Sequence, residues 1–183
     1  LYVGMILQAM GTDFYPRLVG VANDHAACNR IVNEQTHVSL LLAGTGVLGT
    51  IGLSPWAVTL LYTPEFAAAA EPLRWICLGM ALRVVSWPLG YVIIARGDRA
   101  LFFGAELAWT VVNVGLSWLF VGWYGVAGAG IAFFASYVFH IALVYTIVSR
   151  LTGFRWSATN LKALALYAAG IAVGAGAFHV LPK

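Results

Sequence analysis

Four polar side chains stand isolated in long apolar stretches of this sequence: Arg83, Glu106, Asn113 and His140. Each is capable of chemistry. A guanidinium holds phosphate or carboxylate through paired N–H groups. A carboxylate takes a proton or a cation, an imidazole changes charge near neutral pH, and an amide hydrogen-bonds between helices. The partners that would turn such groups into a catalytic centre are missing. Glu106 has no second carboxylate within its apolar stretch, and there is no GxSxG, no HExxH and no glycine loop to cradle a phosphate. Asp13 and Asp24 do not form a DxD pair, and His25 with Cys28 ("HAAC") has ligand spacing without the second pair a tetrahedral metal site needs. The expectation is a binding or transporting protein and not an enzyme, with no metal and no cofactor.

The elements that hold these residues follow from composition. The chain is 61% hydrophobic and 9% charged, against roughly 25% charged for ordinary globular domains. No Asp, Glu, Lys or Arg lies between Glu34 and Glu65, only Arg83 lies between Arg74 and Arg96, and only Glu106 between Arg99 and Arg150. Apolar stretches of about 20 residues match the hydrocarbon core of a bilayer, so the pattern predicts an all-α, polytopic transmembrane helix bundle in the lipid bilayer. The net charge of +3 is therefore distributed by topology and is no nucleic-acid signal.

The chain starts at Leu1 inside the apolar "LYVGMILQAM", which suggests a truncated transmembrane helix over 1–12. Five full spans follow at about 37–62, 73–95, 100–121, 126–149 and 161–181, together a bundle over 37–183. The long connection 13–36 carries Leu18, Val21, His25, Cys28 and Val32 at helical spacing, which suggests a short amphipathic helix along the membrane surface. Arg17, Arg30, Arg96, Arg99, Arg150, Arg155 and Lys162 fall in connections on one side, whereas Arg74 and Lys183 fall on the other. The positive-inside rule makes 13–36, 96–99 and 150–160 cytoplasmic. Tyr62, Trp75, Trp123 and Tyr124 suit the opposite interface, and Trp156 the inner one.

Counted at 1.5 Å per residue from the nearest cytoplasmic arginine, Arg83 stands roughly 20 Å deep, Asn113 about 21 Å, His140 about 15 Å and Glu106 about 10 Å. Three helices thus bring polar groups into one layer near the midplane. An arginine at that depth costs on the order of 3 kcal/mol on insertion scales and should face a bundle interior or a wet cavity. Two roles are open to it, a cavity cation or a buried pair with Glu106; Asn113 and His140 could equally be hydrogen-bonded helix contacts. Gly44, Gly46, Gly49 and Gly52 with Pro55, and Pro88 in the next span, permit either close packing or bending. "GVAGAG" at 125–130 and Gly170 with Gly174 offer further close contacts.

The segments "QAMGTDFYPRLVGVANDHAACNRIVNEQ", "LRWICLGMALRVVSWPLGYVIIARGDRALFFGAELAWTVVNVGLSW" and "GAGIAFFASYVFH" resemble the O-antigen translocase, or polysaccharide flippase, branch of the multidrug/oligosaccharidyl-lipid/polysaccharide exporter superfamily. Tyr15-Pro16-Arg17-Leu18 looks like the cytoplasmic exit of a helix in that family's C-terminal bundle, although Val19 replaces the hydroxyl residue common there. The resemblance implies the C-terminal half of a two-bundle flippase, with the N-terminal bundle of the same protein missing. It implies alternating access in the bacterial inner membrane and an undecaprenyl-diphosphate-linked oligosaccharide, such as an O-antigen repeat unit for lipopolysaccharide, as substrate. A glycan polymerase machinery is an implied partner. Arg83, Asn113, His140 and Glu106 are then the cavity candidates. The rival readings are a cation-coupled multidrug exporter and a membrane-embedded glycan polymerase or glycosyltransferase.

Overall fold

The computed structural model describes residues 2–61 and 70–180. Helix α1 runs Tyr2–Gly20 and α2 His25–Ser39; a π-helical turn, Leu40–Gly44, joins α2 directly to α3, Thr45–Leu61. Then come α4, Ala70–Ala95; α5, Arg99–Tyr124; α6, Val126–Thr152; and α7, Ala158–Val180. The chain is an all-α bundle and a multi-pass membrane protein. Among the described residues, His25–Leu53, Glu71–Ala95, Arg99–Tyr124 and Val126–Thr152 are long and apolar enough to cross a bilayer.

Local chemistry sets the ends of these helices. Gly97, Gly125 and Gly153 adopt positive φ of 70°, 58° and 66°, a conformation that costs glycine little, and each lies in the short turn after α4, α5 or α6. Asp24 caps α2 by accepting from the Ala26 and Ala27 N–H groups at 3.0 Å, and Asp98 caps α5 through Leu101 N–H at 2.9 Å. Both satisfy amides that a helix start leaves orphaned.

The first connection differs from the one expected. α1 does not stop near residue 12 but continues through Pro16 to Gly20, and the polar segment from His25 is the first half of one continuous helix, not a separate surface helix in a 13–36 linker. The reason lies in its polar residues. Asn33 Nδ2 donates to the Arg155 carbonyl at 3.1 Å, and its Oδ1 accepts from Ser157 N–H at 2.8 Å. Asn160 Nδ2 donates to the Asn33 carbonyl at 2.7 Å. Thr152 Oγ1 reaches Asn29 Oδ1 at 3.0 Å. These side chains clasp the α6–α7 connection to α2, so what reads as a solvated face is a satisfied polar contact. Nothing between Asp24 and the π turn breaks the helix.

Cys28 belongs to the packed core there at 1% exposure. It is therefore a poor reporter of sidedness, and exposed positions are needed. With both native cysteines replaced by serine in the intact protein, Asn23→Cys should resist an impermeant thiol reagent until the inner face is opened. Val126→Cys, whose site is 75% exposed, should react in intact cells. The reverse pattern would invert the topology.

α4 and α6 form the centre of the bundle. α5 packs on α6, α1 and α2 on α4, and α7 on α3. Val84, Leu89 and Val92 of α4 and Val148 of α6 are fully buried. α5 keeps an outward apolar face that includes Val111, Val114 and Trp118, the last 82% exposed, as suits a helix bordered by lipid or other helices.

The glycines of the π-helical turn and α3 divide into two kinds. A methyl group on Gly44 would lie 3.0 Å from Tyr167 Cε2 of α7, whereas one on Gly49 or Gly52 would meet open space. Gly46 is half-buried, and Pro55 lies further along α3. Gly44 closes the π-helical turn, so tight packing and irregular backbone coincide at one residue. Gly44→Ala should lower the thermal midpoint, while Gly49→Ala should leave it unchanged or raise it through better helix propensity, worth about 1 kcal/mol. Thermal unfolding of both purified variants checks this.

Candidate functional site

α4 carries Arg83, Ser86, Trp87, Gly90 and Tyr91 on one face, since residues three, four, seven and eight apart share a face of a helix. α5 turns Glu106 and Trp109 toward them, and α6 turns Tyr137 and His140. Together they line a cavity of ≈ 230 Å³ between the three helices. Three of the four expected residues, Arg83, Glu106 and His140, therefore meet. Asn113 does not line this cavity; its Nδ2 donates to Ser136 Oγ at 2.9 Å, joining α5 to α6.

The polar groups are held individually. Ser86 Oγ donates to its own helix at the Arg83 carbonyl, 3.3 Å away, and lies 3.2 Å from His140 Nδ1 across the α4–α6 contact. A serine has one proton. With that proton on the Arg83 carbonyl, Ser86 accepts from Nδ1–H, and His140 Nε2 is left as an acceptor. The imidazole is boxed edge-on by Trp109 and Tyr137, each with its ring centroid 5.7 Å away. Pro88, buried further along α4, supplies no N–H and so releases the Val84 carbonyl from the helical ladder next to this cluster.

A buried Arg83–Glu106 pair was the structural alternative, and no ion pair forms between them. The pairs seen among the described residues sit elsewhere: Arg17 with Asp13 at 3.3 Å and with Glu34 at 3.6 Å, and Arg30 with Glu34 at 3.9 Å. All three are exposed, on α1 and α2, and contribute little to stability.

Arg83 also borders a second cavity. With Trp87 and Tyr91 it faces Gly4, Met5, Leu7 and Gln8 of α1 across ≈ 440 Å³. Toward the C-terminal end of α4 this space is bounded by an aromatic cluster. Trp87 and Tyr91 lie 4.7 Å apart between ring centroids, Phe14 sits 5.8 Å from each, and Tyr15 lies 5.9 Å from Tyr91. Gly11 lets α1 approach, since a methyl group there would come within 3.0 Å of the Tyr91 hydroxyl. Arg83 thus stands in a partition between two cavities.

Gln8, Ser86, Trp87, Tyr91, Trp109 and Tyr137 are site residues that inspection of isolated polar groups passes over. The usable signal was the i, i+4, i+8 stripe Arg83–Trp87–Tyr91, in which two amphipathic aromatics share a helix face with the buried cation. No cluster of three or more His, Cys, Asp or Glu suited to a metal ion occurs among the described residues.

Comparison with known proteins finds two curated relatives, the Lipid III flippases of Escherichia coli (strain K12) and Shigella flexneri, each 29% identical over 92 residues. The matched stretch is 50% of this chain and 22% of either relative, so the chain corresponds to a minor part of their length. No protein-family model and no solved structure matches the chain.

Proposed function

We propose that this chain is part of a membrane flippase for lipid-linked oligosaccharide precursors, working by alternating access in the bacterial inner membrane. On this reading an undecaprenyl-diphosphate-linked O-antigen or polysaccharide repeat unit is the substrate, a second bundle completes the transport path, and no covalent step is catalysed. One observation carries it: a guanidinium near the middle of a membrane-spanning helix, free of any ion pair with Glu106, faces two cavities at once. A diphosphate does not cross hydrocarbon unshielded, and a guanidinium is suited to its oxygens in two-pronged geometry. The same guanidinium disfavours a cationic drug as cargo. The likeness to two flippases supports the class of activity.

The test is direct. The intact protein, reconstituted in liposomes, should move a fluorescent polyprenyl-diphosphate oligosaccharide between leaflets while leaving labelled phosphatidylcholine in place. Equal movement of both lipids, or of neither, would defeat the reading.

A further inference from the structure

The π-helical turn Leu40–Gly44 interrupts the first helix long enough to cross a bilayer, His25–Leu53, and the binding of a diphosphate does not use it. A single π turn inside an α-helix holds one residue more than an α turn, and such turns recur at functional sites. The extra residue leaves a carbonyl without its helical amide donor, which is costly at membrane depth. Thr45, the first residue after the turn, supplies a donor. Its Oγ1 donates to the Leu41 carbonyl at 2.6 Å and lies 3.1 Å from the Leu42 carbonyl.

The sequence repeats this arrangement at once. Leu40–Gly44 is followed by Thr45, and residues 45–49 end in Gly49 and are followed by Thr50. The two Gly-Thr pairs are five residues apart, which is the step of a π-helical hydrogen bond. Thr50 Oγ1 already donates to the Gly46 carbonyl at 2.9 Å, the same four-residue step back that Thr45 makes to Leu41. In a regular α-helix such a bond only supplements the amide ladder. After a π turn over residues 45–49 it would supply the donor that the freed carbonyl needs.

We propose that the π turn migrates between these two frames, from Leu40–Gly44 to residues 45–49, as the conformational switch of this helix. Moving a one-residue insertion along a helix turns only the residues it passes, by about 100° with a shift of about 1.5 Å. α2 stays clasped to the end of α6 and the α6–α7 connection through Asn29 and Asn33, and α3 beyond Thr50 keeps its phase. Each residue in between takes the place of the one after it. Ala43 replaces Gly44 against Tyr167 of α7, where a methyl group stands 3.0 Å from the ring, so the tyrosine must shift. Gly46 replaces Val47, which is 2% exposed in the present frame. Val47 replaces Leu48, whose Cδ2 stands 3.2 Å from where a Cβ on Gly170 of α7 would lie. The tight methyl and the lost valine make the present frame the resting one, and the α3–α7 contact is what the migration rewrites.

That contact reads out the two frames. In the intact protein in lipid nanodiscs, with both native cysteines replaced by serine, mild oxidation should join Leu48→Cys to Gly170→Cys, the contact of the resting frame. It should join Val47→Cys to Gly170→Cys more slowly, through the migrated frame. Thr45→Val removes the donor of the resting frame and should raise the ratio of 47–170 to 48–170 product at least threefold. Thr50→Val removes the donor of the migrated frame and should lower the same ratio at least threefold. A general loss of stability would move the ratio the same way in both variants. A 47–170 product that never forms, or a ratio that the two changes leave alone or shift in one direction, overturns the migration. Absence of both products overturns the α3–α7 contact and the migration with it. The assay contains no substrate, so its outcome is independent of the flippase reading.

Discussion

Arg83→Leu should leave the intact protein inserted and expressed at least as well as the wild type, and should lower flipping of a diphosphate-linked oligosaccharide about 10- to 100-fold. The first half follows from the bilayer, where removing a buried cation relieves a cost on the order of 3 kcal/mol. The second follows from the substrate. A hydrogen bond to a charged group contributes about 1.5–3 kcal/mol, and tenfold in rate corresponds to about 1.4 kcal/mol. Arg83→Lys should recover part of the loss, because an ammonium restores the charge but not the planar fork that grips two phosphate oxygens. In cells, the leucine variant should accumulate lipid-linked oligosaccharide in the inner leaflet and fail to support surface glycan. Normal transport by a normally expressed Arg83→Leu would sink the cavity role. Misfolding that Glu106→Gln repairs would instead mark Arg83 as a structural partner, a result at odds with the absence of an ion pair between them.

Much of this arrangement is legible in the sequence because the bilayer imposes a simple rule. Apolar stretches must be helices, so the spans at about 73–95, 100–121 and 126–149 sit inside α4, Ala70–Ala95, α5, Arg99–Tyr124, and α6, Val126–Thr152. Depth counted along those helices puts Arg83, His140 and Glu106 within about 10 Å of one another in height, and the structure gathers them around one cavity. What spacing does not give is azimuth. Asn113 lies at the right height yet points to Ser136, because a helix rotates about 100° per residue and height leaves that angle free. Residues 25–36 escaped for a different reason. Their asparagines, Asn29 and Asn33, bond to partners more than a hundred residues away in the chain, and a one-dimensional pattern cannot separate a polar side chain clasping a distant loop from one facing water. The expected connection around Glu65 and the expected interfacial Tyr62 fall outside the described residues.

Gly130→Ala should be the most damaging of the single-methyl changes in the glycine-rich start of α6 that act through the α4 contact. A Cβ there would stand 2.6 Å from the Pro72 carbonyl oxygen and 3.0 Å from Pro72 Cα, both backbone atoms of α4, as well as 2.9 Å from Trp75 Cβ. A flexible side chain could swing away from an added methyl; helix backbone cannot, so α4 and α6 must separate along the contact that builds the bundle's centre. Overpacking of this kind costs about 1–3 kcal/mol, which for a domain of this size lowers the thermal midpoint by roughly 2–12 °C. The contrast lies on α5, where a methyl at Gly115 meets open space. Gly115→Ala should hold or raise the midpoint through helix propensity alone. Because α4 and α6 also carry Ser86 and His140, the damage should reach the site: Gly130→Ala should weaken flipping even where protein survives, whereas Gly115→Ala should not. A Gly130→Ala variant that melts and flips like the wild type would show that the two helices do not approach each other this closely, and the cavity geometry derived from their contact would fall with it.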